Sequence, residues 1–485
     1  MTGRPDTEPP PDTGALSADG SPAAATRPAT ATGPATVMGS ATATGLSPAA
    51  ASSSFSSTSV SATAAEPGAS AAGPPVRDRY LDLLRAVALV RVVVYHTFNW
   101  AWLTFLFPSM GVMFALAGSL TARSLGRPAA AVVRSRARRL LLPLWLYGAV
   151  LLTVLFAQGW RPGHSAGTWL RMLCWLVPLG SPPHPEEIGG DGGLLEATWA
   201  VETAGPLWYL RAYLWFVLAS PLLLRAFRRL PWPTLLTPLA LTAFVGTGVV
   251  AVPGETGEAV TDFAVYGSCW MLGFAHHDGL LRRVPLYGVA LVAPAAMAAG
   301  AWWAGAHPGE DGWDLNGIPL GQALWSFGFC LLLLRVSPSW HRLPGPLGRL
   351  ERPVTLANSR AVTLYLWHQP ALVATVPLLD LLWRIPAVGD SEALSAALES
   401  WSGALMFLTV WPLAALLIAA FGWAEDVAAR RRPRLWPRTR TPGVPGRRRG
   451  PGPGPGAAAG PAPGPLTGPP PGRRMAPLTG SGSRR

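Results

Sequence analysis

The sequence predicts an all-α, polytopic membrane protein with about ten transmembrane helices, both termini on the cytoplasmic side, and disordered tails. Three observations predict it. Ten apolar stretches recur between Tyr80 and Trp423, each near the ~20 residues that cross a bilayer. The segments joining them alternate between arginine-rich and acid-rich, as the two sides of a membrane require. Both ends of the 485-residue chain lack the branched and aromatic residues from which a core is built.

The first span is placed at roughly residues 80–98, and the others at roughly 103–121, 139–157, 206–224, 234–252, 262–280, 284–305, 318–336, 355–378 and 402–422. Their connections set the orientation, because arginine gathers in short cytoplasmic loops. Arg123, Arg127, Arg134, Arg136, Arg138 and Arg139 follow the second span; Arg225, Arg228 and Arg229 follow the fourth; Arg282 and Arg283 follow the sixth; Arg342, Arg349 and Arg352 follow the eighth. That face is cytoplasmic. Glu186, Glu187, Asp191, Glu196, Glu202, Glu255, Glu258, Glu310, Asp311, Asp314, Asp390, Glu392 and Glu399 fall on the other, external face. An even number of spans returns the C-terminus to the side of the N-terminus, and the arginine-rich C-terminal segment agrees.

Residues 1–76 read as a disordered Ala/Ser/Thr/Pro-rich tail, 77–425 as the transmembrane domain, and 426–485 as a second disordered tail of Arg, Pro and Gly. The N-terminal stretch has no charged region followed by an apolar run, so the first span is read as the insertion signal. From Arg430 onward there are thirteen Arg and no acid, and the formal net charge of +13 belongs wholly to that segment. A basic tail beside a bilayer points to anionic lipid or to orientation alone, and excludes nucleic acid as a partner. Every basic residue is Arg, which with the Ala, Gly and Pro excess points to a GC-rich bacterium and so to its plasma membrane. Cys174, Cys269 and Cys330 show no metal-ligand spacing and read as small apolar fillers.

Ionisable residues within spans are costly, and are the first place to look for function. The first span holds Asp82, Arg85, Arg91 and His96. Asp82 and Arg85 are i,i+3 neighbours able to pair. Arg85 and His96 are eleven positions apart, which on a helix returns to within ~20° of one face while moving ~16 Å along the axis. One stripe therefore carries a cation near the cytoplasm and an imidazole toward the external half. A snorkelling Arg and an interfacial His are the bland alternative. Arg91 lies ~120° off that stripe, and the sequence names no partner for it.

Arg85-x10-His96, followed by Phe114-Ala-Leu-Ala-Gly118 in the second span and Arg136-x-x-Arg139 before the third, resembles the acyltransferase-3 family of integral-membrane acyltransferases. Pro206-Leu-Trp-Tyr-Leu-Arg-Ala-Tyr213 and Leu364-Tyr-Leu-Trp-His-Gln-Pro370 resemble its later Trp- and His-containing spans, and the ordered set covers about residues 77–425. The resemblance implies transfer of an acyl group, often acetyl, from acyl-CoA to a hydroxyl of a carbohydrate or similar acceptor. It implies essential roles for Arg85 and His96, support from Asp82, His368 and Trp208, and no permanently bound cofactor, acyl-CoA being the donor substrate.

The residue chemistry agrees. Imidazole is the side chain best tuned to take a hydroxyl proton near neutral pH, and a cation beside the thioester would stabilise its oxyanion. Arg136 and Arg139 suit the phosphates of coenzyme A, although orientation alone would place arginines there. His368, just before Pro370, is read with equal weight as a functional imidazole and as a structural one bonded across helices. Two departures from the family stand out: Ala117 precedes Gly118 where many members have Ser, and Tyr213 stands where others carry a Glu. Glu202 is considered as a substitute carboxylate, and His276 and His277 read as interfacial.

The acceptor class stays open among cell-wall glycan, exopolysaccharide, lipid-linked sugar and a polyketide-type secreted metabolite. The acidic segment 158–205, with Trp160, Trp169, Trp175 and Trp199, is either its vestibule or a packed lid. The competing function class is a transporter or exporter of a polysaccharide or lipid-linked precursor. No inverted repeat between the two halves supports it.

Overall fold

The computed structural model describes residues 78–189, 195–247 and 252–434. Both expected tails, apart from residues 426–434, lie outside the described residues, as does Asp191.

Each predicted span coincides with a long helix. In order these are α1 (Arg79–Phe98), α2 (Ser109–Ser124), α3 (Ala129–Ala157), α4 (Leu207–Arg229), α5 (Pro231–Gly246), α6 (Gly254–His277), α7 (Leu286–Ala306), α8 (Pro319–Arg335), α9 (Ala361–Trp383) and α10 (Glu392–Phe421). Membrane crossing is a stricter test than helicity. Six segments among the described residues are long and apolar enough for it, namely α3, α7, α9, α10 and the continuous stretches Trp102–Ser124 and Trp199–Arg229 that contain α2 and α4. The expected ten thus divides into six helices that qualify by length and composition and four that do not. α5 and α8, at 16 and 17 residues, are short for a full crossing. Arg79, Asp82, Arg85 and Arg91 make α1 too charged, and Glu258, Asp262 and the terminal His276 and His277 dilute α6. α1 therefore does not qualify as a crossing by its own composition.

Glycines set how closely the helices approach. A Cβ at Gly118 of α2 would overlap the Trp270 carbonyl of α6, and one at Gly273 of α6 would overlap Ala115 O and Ser119 N of α2. The two backbones are in direct contact, the small-residue packing on which membrane helices rely. Gly111 of α2 likewise admits Ser326 of α8, and Gly328 of α8 admits the Ala293 carbonyl of α7. Beside this seam lies a cluster of rings: Phe114 is within 5.3 Å, centroid to centroid, of Tyr209, Phe216 and Tyr266, and Phe216 stacks on Trp270 at 4.9 Å. The Trp270 indole finds its partner in Ser220 Oγ at 3.1 Å.

Past α10 the chain turns at Gly422 into a short helix, Trp423–Ala428, and continues to Arg434 at the arginine-rich end of the bundle. Asp426, which the sequence reading put at the start of a tail, is bonded into the body: it meets the buried Arg360 at 2.7 Å, and Arg360 also donates to Arg434 O at 2.6 Å. Glu425 accepts from Thr363 N and Oγ1, both at 2.7 Å. Burial pushes the Glu425 carboxyl up to about 7, against those hydrogen bonds and the Arg360 charge. Arg138 donates to Ala428 O at 2.9 Å from α3.

Candidate active site

α1 begins at Asp78, whose carboxylate accepts from Tyr80 N, and ends at Asn99 in the left-handed conformation. His96 occupies its last turn and is exposed, while its inward neighbours Leu89 and Val92 are buried. The imidazole thus stands in accessible space on the face of α1 that is otherwise packed into the protein.

α9 delivers two side chains to that ring. The His368 ring centroid is 5.1 Å from that of His96, and Gln369 Nε2 is 3.3 Å from His96 Nδ1. His368 is buried and its Nδ1 donates to the Tyr365 carbonyl one turn back, which leaves Nε2 as the lone-pair nitrogen; that atom is buried without a hydrogen-bond partner. Pro370 follows immediately, inside the helix, where its ring removes a backbone donor and frees a carbonyl of the preceding turn. The orientation of the Gln369 amide sets the tautomer: with its Nε2 facing the ring, His96 Nδ1 accepts and the ring proton sits on His96 Nε2. With Oε1 turned to the ring the amide fixes the Nδ1–H tautomer and leaves Nε2 of His96 as the basic nitrogen.

The other sequence candidates are distributed along the bundle. Arg85 lies toward the arginine-rich end of α1, eleven positions from His96, or ~16 Å along the axis, so the two are on one stripe but not in contact. Arg85 donates to Asn358 Oδ1 at 3.4 Å, and Asn358 in turn donates to the Asp82 carbonyl at 2.7 Å. The Asp82 carboxylate reaches Arg79 at 3.7 Å. Trp208 packs against Tyr266 at 5.6 Å and Tyr209 at 6.2 Å; Tyr209 meets Tyr365 at 4.9 Å, and Tyr365 meets His368 at 5.7 Å. A chain of rings therefore joins Trp208 to the histidine pair. Arg136 is held inside the bundle by Tyr213 OH at 3.0 Å and Ser124 Oγ at 3.1 Å, whereas Arg139 is exposed.

Several residues gained a place that the sequence did not indicate. Arg91 has partners after all: its guanidinium lies 4.8 Å from the Tyr95 ring centroid and its Nε donates to Leu103 O at 3.3 Å. Tyr95 donates to Asp314, an acid read as belonging to an external loop but in fact 4% exposed. Gln369 sat inside the quoted α9 motif and drew no notice, because an amide carries none of the charge that marks an intramembrane site. Glu202 accepts from Thr198 on its own turn at 3.2 Å, and His276 meets Ser119 across the α2–α6 seam at 3.0 Å. In the 158–205 segment Trp175 and Trp199 are buried, the latter donating to Gln158 at 3.1 Å, so this part of the segment is packed against the body. No group of three or more metal-binding side chains occurs among the described residues.

Comparison with known families aligns residues 78–424, well over half of the chain, with the family model Acyl_transf_3, described as an acyltransferase domain. No curated protein and no solved structure matches.

Proposed function

The chain belongs to this acyltransferase family, and from that premise we propose that it transfers an acyl group, acetyl in the first instance, from acyl-CoA to a hydroxyl of a carbohydrate or polyketide-type acceptor at the plasma membrane of a bacterium. The observation that carries the reading is the His96 imidazole: accessible, set against His368, and held at Nδ1 by Gln369. A hydroxyl is a poor nucleophile until its proton is removed, and a neutral imidazole fixed at one nitrogen offers the other as the base. In the proposed reaction Nε2 of His96 takes the acceptor proton as the hydroxyl oxygen attacks the thioester carbonyl. The tetrahedral oxyanion then collapses, the C–S bond breaks, and the departing thiolate takes the proton back from His96.

Arg85 supports the donor side of this scheme. It sits toward the end of the bundle where Arg139 is exposed and where coenzyme A arrives from the cytoplasm. We assign the phosphates to Arg139, with Arg136 clamped by Tyr213 and Ser124 behind it, and the arm that carries the thioester toward His96 to Arg85, whose planar fork is supported by Asn358. Asp82 contributes through the same corner, since its carbonyl anchors Asn358.

The test is His96→Ala in the full-length protein, assayed for transfer of labelled acetyl from acetyl-CoA to the acylated product identified by mass spectrometry in the parent strain. Loss of a general base is expected to cost ~10²–10⁴-fold with insertion and detergent stability unchanged. Wild-type turnover in His96→Ala would refute the assignment, and acceptor flux across vesicles without acyl-CoA would favour a transporter.

A further inference from the structure

We propose that the acceptor binds in a cavity between α4 and α6, walled by Trp208, Arg211, Glu258 and Asp262, and that this cavity takes uncharged sugars and discriminates against acidic ones. The proposal rests on the acyl-transfer reading above and assigns its acceptor site. The site is an open cleft of about 570 Å³ at the end of the bundle opposite the arginine-rich loops. A second cavity of about 210 Å³, lined by Ser181, His184 and Leu207 among others, shares Trp208 and Arg211 with it.

Arg211 is the key to the site. It is 4% exposed, yet carries a full charge held by Asp262 at 2.7 Å, Ser181 Oγ at 2.7 Å and Glu258 at 3.4 Å. Its Nε, also buried, has no hydrogen-bond partner, and an unpaired donor of this kind is costly unless something polar reaches it. Of its two carboxylate partners Asp262 is the closer, while the Glu258 side chain remains 63% exposed and lines the cleft. The walls therefore hold one positive and two negative charges. Vicinal hydroxyls suit such a surface, since each can donate to a carboxylate and accept from a guanidinium N–H, while the indole of Trp208 offers an apolar face for the C–H side of a sugar ring. A uronic acid would bring its carboxylate against an excess of negative charge. His96 and His368 are not among the lining residues; the rings of Trp208, Tyr209, Tyr365 and His368 pack in sequence between the cleft and the His96 imidazole, so the cleft seats a remote sugar unit of the acceptor and not the reacting hydroxyl.

The experiment is a saturation-transfer NMR titration of the full-length protein in detergent with two matched probes, cellotriose and trigalacturonate. Cellotriose should bind at least tenfold more tightly than trigalacturonate. Trp208→Ala and Thr261→Phe, the latter filling the cavity while leaving both ion pairs intact, should each weaken cellotriose at least tenfold, and Glu258→Gln should narrow the discrimination against trigalacturonate. Equal affinity for cellotriose and trigalacturonate, or cellotriose binding untouched by both Trp208→Ala and Thr261→Phe, overturns the proposal. Acetyl-CoA hydrolysis is measured on the same samples. Hydrolysis that persists in Thr261→Phe without sugar binding supports the cavity as the acceptor site, whereas His96-independent hydrolysis alongside normal sugar binding refutes the acyl-transfer reading alone.

Discussion

Gln369 offers the sharpest test of how the histidine pair works, because its proposed role is to position His96 and not to react. Its amide lies 3.3 Å from His96 Nδ1 and is 8% exposed. A neutral hydrogen bond of this kind contributes about 1 kcal/mol, within about 0.5 either way. If Gln369→Leu loses that amount from the transition state, the rate falls about fivefold, between about twofold and about tenfold, at ~1.4 kcal/mol per decade. Removal of His96 itself should cost ~10²–10⁴-fold. The decisive measurement is a double-mutant cycle on initial rates of acetyl transfer in proteoliposomes. In the His96→Ala background the amide has no ring to hold, so Gln369→Leu should then cost nothing further. An equal loss in both backgrounds would show that Gln369 acts through packing alone and would refute the positioning argument.

The corner formed by Arg360, Glu425 and Asp426 predicts a pH dependence. The folded protein holds the Glu425 proton up to about 7, from an ordinary 4.5, so the stability this group contributes is complete below about 4.5, declines as pH rises, and is gone above about 7, a change of about 3 kcal/mol. Glu425→Gln should flatten that decline, seen as a melting temperature that rises relative to wild type from pH 4.5 to 7.5; a constant difference would show that Glu425 titrates normally beside Arg360, Asp426 and Thr363. The proposed orientation predicts that a cysteine at Gly163 is labelled by an impermeant reagent from outside intact cells, and one at Gly126 only after permeabilisation. Reversed labelling would invert every assignment of side.

The long helices were legible because apolar runs of this length have few alternatives, and all ten predicted spans found one. Which of them qualify as crossings was less legible, since α1 and α6 carry charges that only their neighbours make tolerable. His96 and His368 could be singled out as costly groups in apolar surroundings, but their 5.1 Å approach depends on α1 meeting α9, some 270 positions later in the chain. Arg91 looked unpaired for the same reason: its partners are a carbonyl in the following turn, a ring on its own helix, and through that ring Asp314. Arg211 was passed over as part of a tryptophan motif, and Glu258 as a loop acid; only folding reveals that they share one cavity with Asp262. Polar groups that matter through mutual geometry leave no periodicity for a sequence to display.

The glycine seam between α2 and α6 has a consequence for which parts of the bundle can move. With Gly118 seated on the Trp270 carbonyl and Gly273 on Ala115 and Ser119, neither helix can slide or rotate without lifting the other, and the pair behaves as a fixed spine. Gly111 extends that spine to α8 through Ser326. Any opening that the proposed reaction needs would therefore be made beside this seam and not through it, because parting α2 from α6 means parting backbone from backbone.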